Sequence, residues 1–396
     1  MRKWIVPILF LALPFAFLAP GLIWKSQLLF FLICPIFIIA INLKNVWIKT
    51  FLLYAAAWQI IIFLMSFNDP SHNAGAGLSI LLSLMAGALI FKFISEGDLP
   101  DGKWLMVIRI AVIIQILIAI PQHFGFSAVM YLVGMLTPVV QKQPLHLVGT
   151  LGNRNYLSIF VAASLPFFIG WMTFKVRGFS INPILIGIMI FLFFCFSPAT
   201  IAAIAGMLFI FSYDLSAAKK ALFLAIGAGL GIGYTAFYIA GAGTHYMYGQ
   251  GSHLWEFQAL PGQLKELWTT GNLVVDPRQG DLGRFGMILS AFSQLIRSWS
   301  FAILGYGPAA SWGRNYPVHC EYMSMWFQFG LIGLGLMMGY IVTTWRYLTK
   351  EKNRIFLGSF LIILIDMAGN FSLEVATTAF MIIVITALIE RKRIHG

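Results

Sequence analysis

His319 and Glu321 stand two residues apart in Pro317-Val318-His319-Cys320-Glu321-Tyr322, where a long polar segment runs back into apolar sequence. An imidazole changes charge near neutral pH and can take a proton from a hydroxyl, and a carboxylate close by can orient or tune it. Arg284 opens a second candidate. Apolar residues follow it at Phe285, Ile288, Leu289, Phe292, Leu295, Ile296 and Trp299. That helical spacing, over a run too short to cross a bilayer, predicts an amphipathic helix at the membrane surface. Asp281 is placed to cap it, so Arg284 falls in the first turn, where backbone N–H groups attract anions. Arg284 lies about 80° from the centre of the apolar stripe and Arg297 about 140° away, at about 100° per residue. Arg284 therefore borders the membrane, where a lipid-linked phosphate would be, and Arg297 faces water. The third candidate is Arg154 in Gly149-Thr150-Leu151-Gly152-Asn153-Arg154-Asn155-Tyr156. Glycines free the backbone there and an Asn can cap the following helix, which puts Arg154 at a helix N-terminus. Taken singly, each feature has a plainer reading: a snorkelling arginine, an ordinary helix cap, a structural histidine.

The elements that must position these residues are set by composition. Of 396 residues, 60% are hydrophobic and 10% are charged, whereas a soluble chain carries about 25% charge. This excludes a soluble enzyme, a disordered chain and a nucleic-acid-binding domain. The net charge of +12 fits loops that face anionic lipid, so the expected partner is a lipid bilayer and not nucleic acid. Three cysteines, Cys34, Cys195 and Cys320, are too scattered for a disulfide framework, and no Cys/His cluster has zinc spacing.

Apolar runs near 4–22, 28–42, 51–67, 75–95, 104–121, 156–174, 182–197, 199–213, 221–240, 322–345, 355–372 and 375–390 predict an all-α polytopic membrane protein of about 12 transmembrane helices. Arg2-Lys3 and the first run read as a retained helix, because no small-residue cleavage site follows. Ser197-Pro198 breaks the pair 182–197 and 199–213 into two short helices or one interrupted element. With the N-terminus inside, inner ends and loops carry seventeen Lys and Arg against eight outside, and Arg109 lies within a span. That bias puts both termini in the cytoplasm. Residues 122–155 and 241–321 then form the long outer segments of a single membrane domain, 1–396, with the second as its functional cap. Two ionisable residues fall inside spans, Arg109 and Asp366. Their depths differ by roughly 8 Å, so they pair only if the arginine reaches outward. Asp366 with Asn370 would alternatively suit a proton site. Glycines at Gly227, Gly229, Gly231 and Gly233 and at Gly335 and Gly339 read as helix packing.

An outer-face site has no ATP or nucleotide sugar, so group transfer there needs a donor already activated, usually on a lipid. The inner loops are too short for a nucleotide-binding domain, and no Walker-type Gly-Lys-Ser/Thr occurs. No Asp-x-Asp occurs in the outer segments either, and neither metal nor other cofactor is expected.

Over roughly residues 145–345, the order of these features resembles the O-antigen ligase and O-antigen polymerase superfamily of membrane glycosyltransferases. Gly149–Leu157 resembles the family's Gly-rich stretch with two Asn before a helix. Arg284 through Gly305-Tyr306-Gly307 resembles its Arg, amphipathic helix and Gly-x-Gly. His319 through Gly335 resembles its His-containing segment followed by a Phe-Gly-Leu-Ile-Gly helix. Three positions depart from the pattern: Cys320 where the family usually has Asn, Ser197-Pro198-Ala199 where it often has Ser-Arg-Gly, and Arg154 where it commonly has Pro. The resemblance implies a GT-C-like fold in a bacterial cytoplasmic (inner) membrane. It also implies metal-independent, inverting transfer of a glycan from undecaprenyl diphosphate to a hydroxyl of a glycolipid or glycan acceptor. His319 and Arg284 would be catalytic, and Arg284 and Arg154 would bind the diphosphate. Arg154 would supply the charge of the arginine missing near Pro198. Glu321, Asn153 and Asn155 would be auxiliary. Ligase-like activity is the first expectation. A polysaccharide polymerase is the alternative within the family, and a lipid-glycan flippase or transporter the alternative outside it.

Overall fold

Apolar helices make up almost all of the computed structural model, which describes residues 40–66, 87–97, 100–124, 147, 149, 154–176, 179–195, 197–239, 254–270, 283–307, 318, 320–369 and 376–395. In chain order the helices are α1 (Val46–Ser66), α2 (87–96), α3 (Asp101–His123), α4 (Arg154–Ser164), α5 (Pro183–Phe194), α6 (Pro198–Ser212), α7 (Ala217–Ile239), α8 (Leu254–Thr270), α9 (Gly283–Ile296), α10 (Trp299–Leu304), α11 (Glu321–Lys350), α12 (Arg354–Gly369) and α13 (Ala376–His395). One antiparallel hairpin, β1 (Phe174–Val176) and β2 (Phe179–Ile181), joins α4 to α5 and pairs Lys175 with Ser180. Among the described residues, two helices are long and apolar enough to cross a membrane, Asp101–His123 and Glu321–Lys350. The expected runs at 4–22 and nearly all of 28–42 lie outside the described residues, as do most of 122–155 and half of 75–95.

The run expected to span at 156–174 does not form a membrane-length helix. Helix α4 is 11 residues long, about 16 Å at 1.5 Å per residue. Leu165–Phe168 continue it as one 3₁₀ turn, and the chain then enters the hairpin. Pro166 sits in that turn, where its missing N–H and ring disfavour a further α turn. Every residue of α4 from Leu157 to Ser164 is buried, and so is Arg154. The helix is buried on nearly every side because neighbours surround it: it packs against α3, α5, α6, α12 and α13. Ser359 of α12 donates to the carbonyl of Ala163 at 2.6 Å.

The ambiguous pair at 182–213 resolves into two helices. The first ends at Phe194, and Ser197, in extended conformation (φ −127°, ψ 149°), caps the second, with Pro198 at its start. The hydroxyl of Thr200 ties them by donating to Leu192 O at 2.7 Å. Helices α6 and α12 approach closely at Gly206 and Gly358, where a Cβ on Gly206 would come within 3.1 Å of the Gly358 carbonyl. Small residues at crossings let apolar helices gain van der Waals contact where lipid offers no hydrophobic drive. Helix α7 closes on α6 in the same way, with Gly227 against Leu208. Its outer face leaves Leu222, Leu230 and Ile232 exposed by 64%, 64% and 70%, apolar surface that suits lipid rather than water.

Charged helix ends collect at one end of the bundle. Asn45, before α1, donates to Glu390 at 3.1 Å. Arg391 pairs with Asp101 at 3.0 Å, and Arg354 with Asp214. These are ends that the charge count assigns to one side of the membrane. Arg109 does not pair with Asp366: its Nε donates to Phe167 O at 2.8 Å and its guanidinium lies 5.4 Å from the Trp171 ring.

Candidate functional site

Helix α11 is not the single uninterrupted span that 322–345 predicts. It breaks at Gly330, which adopts φ 64°, ψ −172°, a conformation open essentially to glycine alone. A break inside apolar surroundings frees backbone carbonyls that must find donors. Here the Gly305-Tyr306-Gly307 segment supplies them. Tyr306 N donates to Phe327 O and Gly307 N to Gln328 O, each at 2.8 Å. Trp58 Nε1 on α1 donates to Gln328 O at 3.3 Å. The Tyr54 hydroxyl lies 2.8 Å from Leu304 O and 3.0 Å from Phe329 O, so its one proton is shared. The Gly-x-Gly and Phe-Gly-Leu-Ile-Gly motifs, more than twenty residues apart in sequence, thus form one hydrogen-bonded junction.

Segment 283–307 folds onto the short first half of α11. Ala291 and Leu295 of α9 share a buried cluster with Val318 and Phe327, joined by Ile288, Tyr306, Cys320, Met323 and Trp326. Trp326 Nε1 donates to Ala302 O at 3.0 Å, and the Tyr306 hydroxyl donates to Gln294 O at 3.1 Å. The expected amphipathic helix therefore exists, but its apolar stripe packs mainly against protein. It also stops earlier than the spacing predicts: Ser298 starts the separate short helix α10, and Trp299 is 82% exposed.

Arg284 is the second residue of α9, in the first turn as the sequence predicts; its side chain and the expected cap Asp281 lie outside the described residues. One turn further on, Ile288 reaches the cluster that holds Val318 and Cys320. These two bracket His319, itself outside the described residues. The fold thus brings the backbone of the Arg284 turn within about one helical turn of the cluster that flanks His319. Arg297 follows the end of α9 and is exposed.

Arg154 begins α4 and is 8% exposed. Its guanidinium lies close enough to Cys195 for its charge to act on the thiol, which puts it beside the Ser197-Pro198 break. Asn155 follows it, half-buried, and Asn153 lies outside the described residues. The loop before α4 docks on α3: Gln122 Nε2 donates to Gly149 O at 3.0 Å. Gly149, at φ +56°, leaves room for Gln115, whose Oε1 would stand 2.5 Å from a Cβ there.

The two regions meet along the last turns of α12. Glu321, in the first turn of α11, is 1% exposed. Beside it, the Tyr322 hydroxyl donates to Leu364 O at 2.9 Å. Five residues on, a Cβ on Gly369 would meet Pro198 at 4.0 Å. Asp366, 1% exposed, lies between them. The N-termini of α4, α6 and α11, with their partial positive charge, therefore open at one end of the bundle, opposite the charged helix ends. That end also concentrates buried polar groups, among them Gln59, Gln122, Arg154, Glu321, Gln328 and Asp366. Polar groups inside a membrane domain are costly and mark substrate paths by default. Sequence reading missed Tyr54, Trp58 and Gln59, because α1 reads as an ordinary span. The available signal was a Gln inside an apolar run; Gln59 is fully buried, and among the described residues neither of its amide atoms has a hydrogen-bond partner. No family model, no curated protein and no solved structure matches the chain.

Proposed function

We propose that the chain transfers a glycan from a polyprenyl (undecaprenyl) diphosphate donor to a hydroxyl of a glycolipid or glycan acceptor at the outer membrane face, in the manner of an O-antigen ligase. The observation that carries the reading is the convergence of the motif-bearing segments: helix α9, which the Arg284 turn opens, the neighbours of His319 and the Gly305–Gly307 segment lie on one cluster and its adjoining junction. Tyr322 of α11, hydrogen-bonded to Leu364 of α12, links that unit toward Pro198 and Arg154.

In this reading His319 takes the acceptor's hydroxyl proton as the oxygen attacks the anomeric carbon. The bond from that carbon to the phosphate oxygen breaks with inversion, and polyprenyl diphosphate leaves. The leaving group is already good, so the protein needs to position it and to stabilise its growing charge. Arginine forks suit that role, and helix N-termini add to it. Arg284 is assigned to the diphosphate, and Arg154 beside the Pro198 break takes the auxiliary contact. A polymerase differs only in using a second lipid-linked glycan as acceptor.

The test incubates purified protein with lipid-diphosphate glycan and, separately, a glycolipid acceptor and a second lipid-linked glycan. Product with the glycolipid supports a ligase, and product with the lipid-linked glycan a polymerase. No product with either, together with movement of the donor across vesicles, assigns a flippase and overturns the proposal.

A further inference from the structure

At the charged end of the bundle, away from the proposed transfer site, lies a cavity of about 520 Å³. Asp101 at the start of α3, Tyr347 and Glu351 at the end of α11, and Arg391, Lys392 and His395 of α13 line it. Its charges are unevenly partnered. Arg391 pairs with Asp101 at 3.0 Å and donates to the carbonyls of Ile94 and Gly97. The Lys392 ammonium reaches the same carboxylate only at 4.0 Å and rests 5.0 Å from the Phe356 ring. One carboxylate thus answers two cations. Glu351 is exposed, and among the described residues its carboxylate has no ion pair. An under-neutralised ammonium and an unpaired carboxylate therefore face the same space.

A simple anion bound at Lys392 would meet Glu351, and a simple cation bound at Glu351 would meet Lys392 and Arg391. A group carrying both signs a few ångströms apart satisfies both walls. The cavity also sits where apolar helices end: Leu348 and Phe356, beside it in sequence, are buried in the main core. A ligand there with acyl chains could extend them along the helices. We propose that this cavity binds a zwitterionic phospholipid headgroup, its primary ammonium on Glu351 and Tyr347 and its phosphodiester on Lys392 and His395. The inference rests on reading the chain as a membrane protein and is independent of glycosyl transfer.

Native mass spectrometry of the full chain would test it, with phosphatidylethanolamine, phosphatidylcholine and phosphatidylglycerol offered in equal amounts, and soluble phosphoethanolamine as a separate arm. The ethanolamine lipid should be retained over both others, since choline offers no N–H donor and glycerol no positive charge. Glu351→Gln should lower retention of the ethanolamine lipid about three- to tenfold, while Lys392→Gln should weaken all three. Thermal unfolding of both variants separates lost binding from lost fold. Preference for the glycerol lipid, or equal retention by wild type and both folded variants, overturns the proposal. Binding of soluble phosphoethanolamine without any lipid preference assigns the cavity to a free zwitterion and overturns the lipid assignment.

Discussion

Gly305 and Gly330 stand back to back, each occupying the space that a Cβ on the other would need. A Cβ on Gly305 would strike the Gln328 carbonyl and reach Gly330 N at 2.5 Å; one on Gly330 would strike the Ile303 carbonyl and reach Gly305 N at 2.6 Å. Both residues have positive φ, 82° and 64°. The contact is backbone on backbone, so no flexible side chain can yield. Gly330→Ala should therefore cost about 1–3 kcal/mol from conformation alone, with further loss as the Tyr306 and Gly307 hydrogen bonds move apart. Gly335, on the same helix, has nothing within 4 Å of its would-be Cβ. Gly335→Ala should be neutral or stabilising by about 0.5–1 kcal/mol. Thermal unfolding in detergent compares the two, and equal midpoints would show that the junction is not tight.

The topology that underlies the proposed site is checked by labelling. The charge count puts 241–321 outside and the 351–353 turn inside. Asn272→Cys should react with an impermeant thiol reagent on intact cells, and Lys352→Cys only after the membrane is opened. The reverse pattern would remove the outer-face site altogether.

Arg284 and Arg297 form an internal comparison. They bracket α9, one in its first turn and one just past its end. Arg284→Ala should abolish transfer with the protein still folded, a loss of about 10²–10³-fold if it stabilises the leaving diphosphate. Arg297→Ala should do much less, because that residue is exposed and lies past the end of the helix. Equal losses would mean that position on the helix does not matter and that both arginines act only as general positive charge.

Arg154 tests whether a displaced cation stands in for the arginine expected near Pro198. It is buried at a helix start beside Cys195, so a lysine there keeps the charge but loses the fork. Arg154→Lys should raise KM for the lipid donor with a smaller change in kcat, and Arg154→Gln should raise it further. Unchanged donor affinity in both variants would leave Arg154 with a packing role only.

Hydropathy and periodicity made the all-helical architecture legible, and the junctions were not. Runs of about eighteen apolar residues located α3 and α12 to within three residues, since length and hydropathy are local properties. The shortening of α4 needed knowledge that neighbours bury it on every side, which an apolar run does not distinguish from lipid exposure. The Gly330 break was readable as a glycine, but its partner Gly305 lies 25 residues away, and only tertiary pairing reveals why both must lack a side chain. The stripe of α9 showed which face is apolar without showing whether lipid or protein covers it, and the answer, Val318 and Phe327, comes from a distant segment.

The proton acceptor is the most exacting assignment. His319 falls between Val318, which is buried, and Cys320, which is half-buried, just ahead of the first turn of α11. A base must be neutral to accept the acceptor's proton, so turnover should fall as pH drops and the imidazole becomes protonated. An anionic Glu321, two residues further on and buried, would favour the protonated form and move that acid limb to higher pH, and arginines beside the imidazole would oppose it. His319→Gln keeps polarity and approximate size but cannot take a proton. It should retain donor binding and lose roughly 10²–10⁴-fold in kcat, and its residual rate should lack the acid limb seen in the wild type. Glu321→Gln should shift the limb to lower pH and leave the plateau largely in place. Should His319→Gln lose donor affinity and keep its turnover, with the pH profile intact, the residue binds phosphate and another group takes the proton.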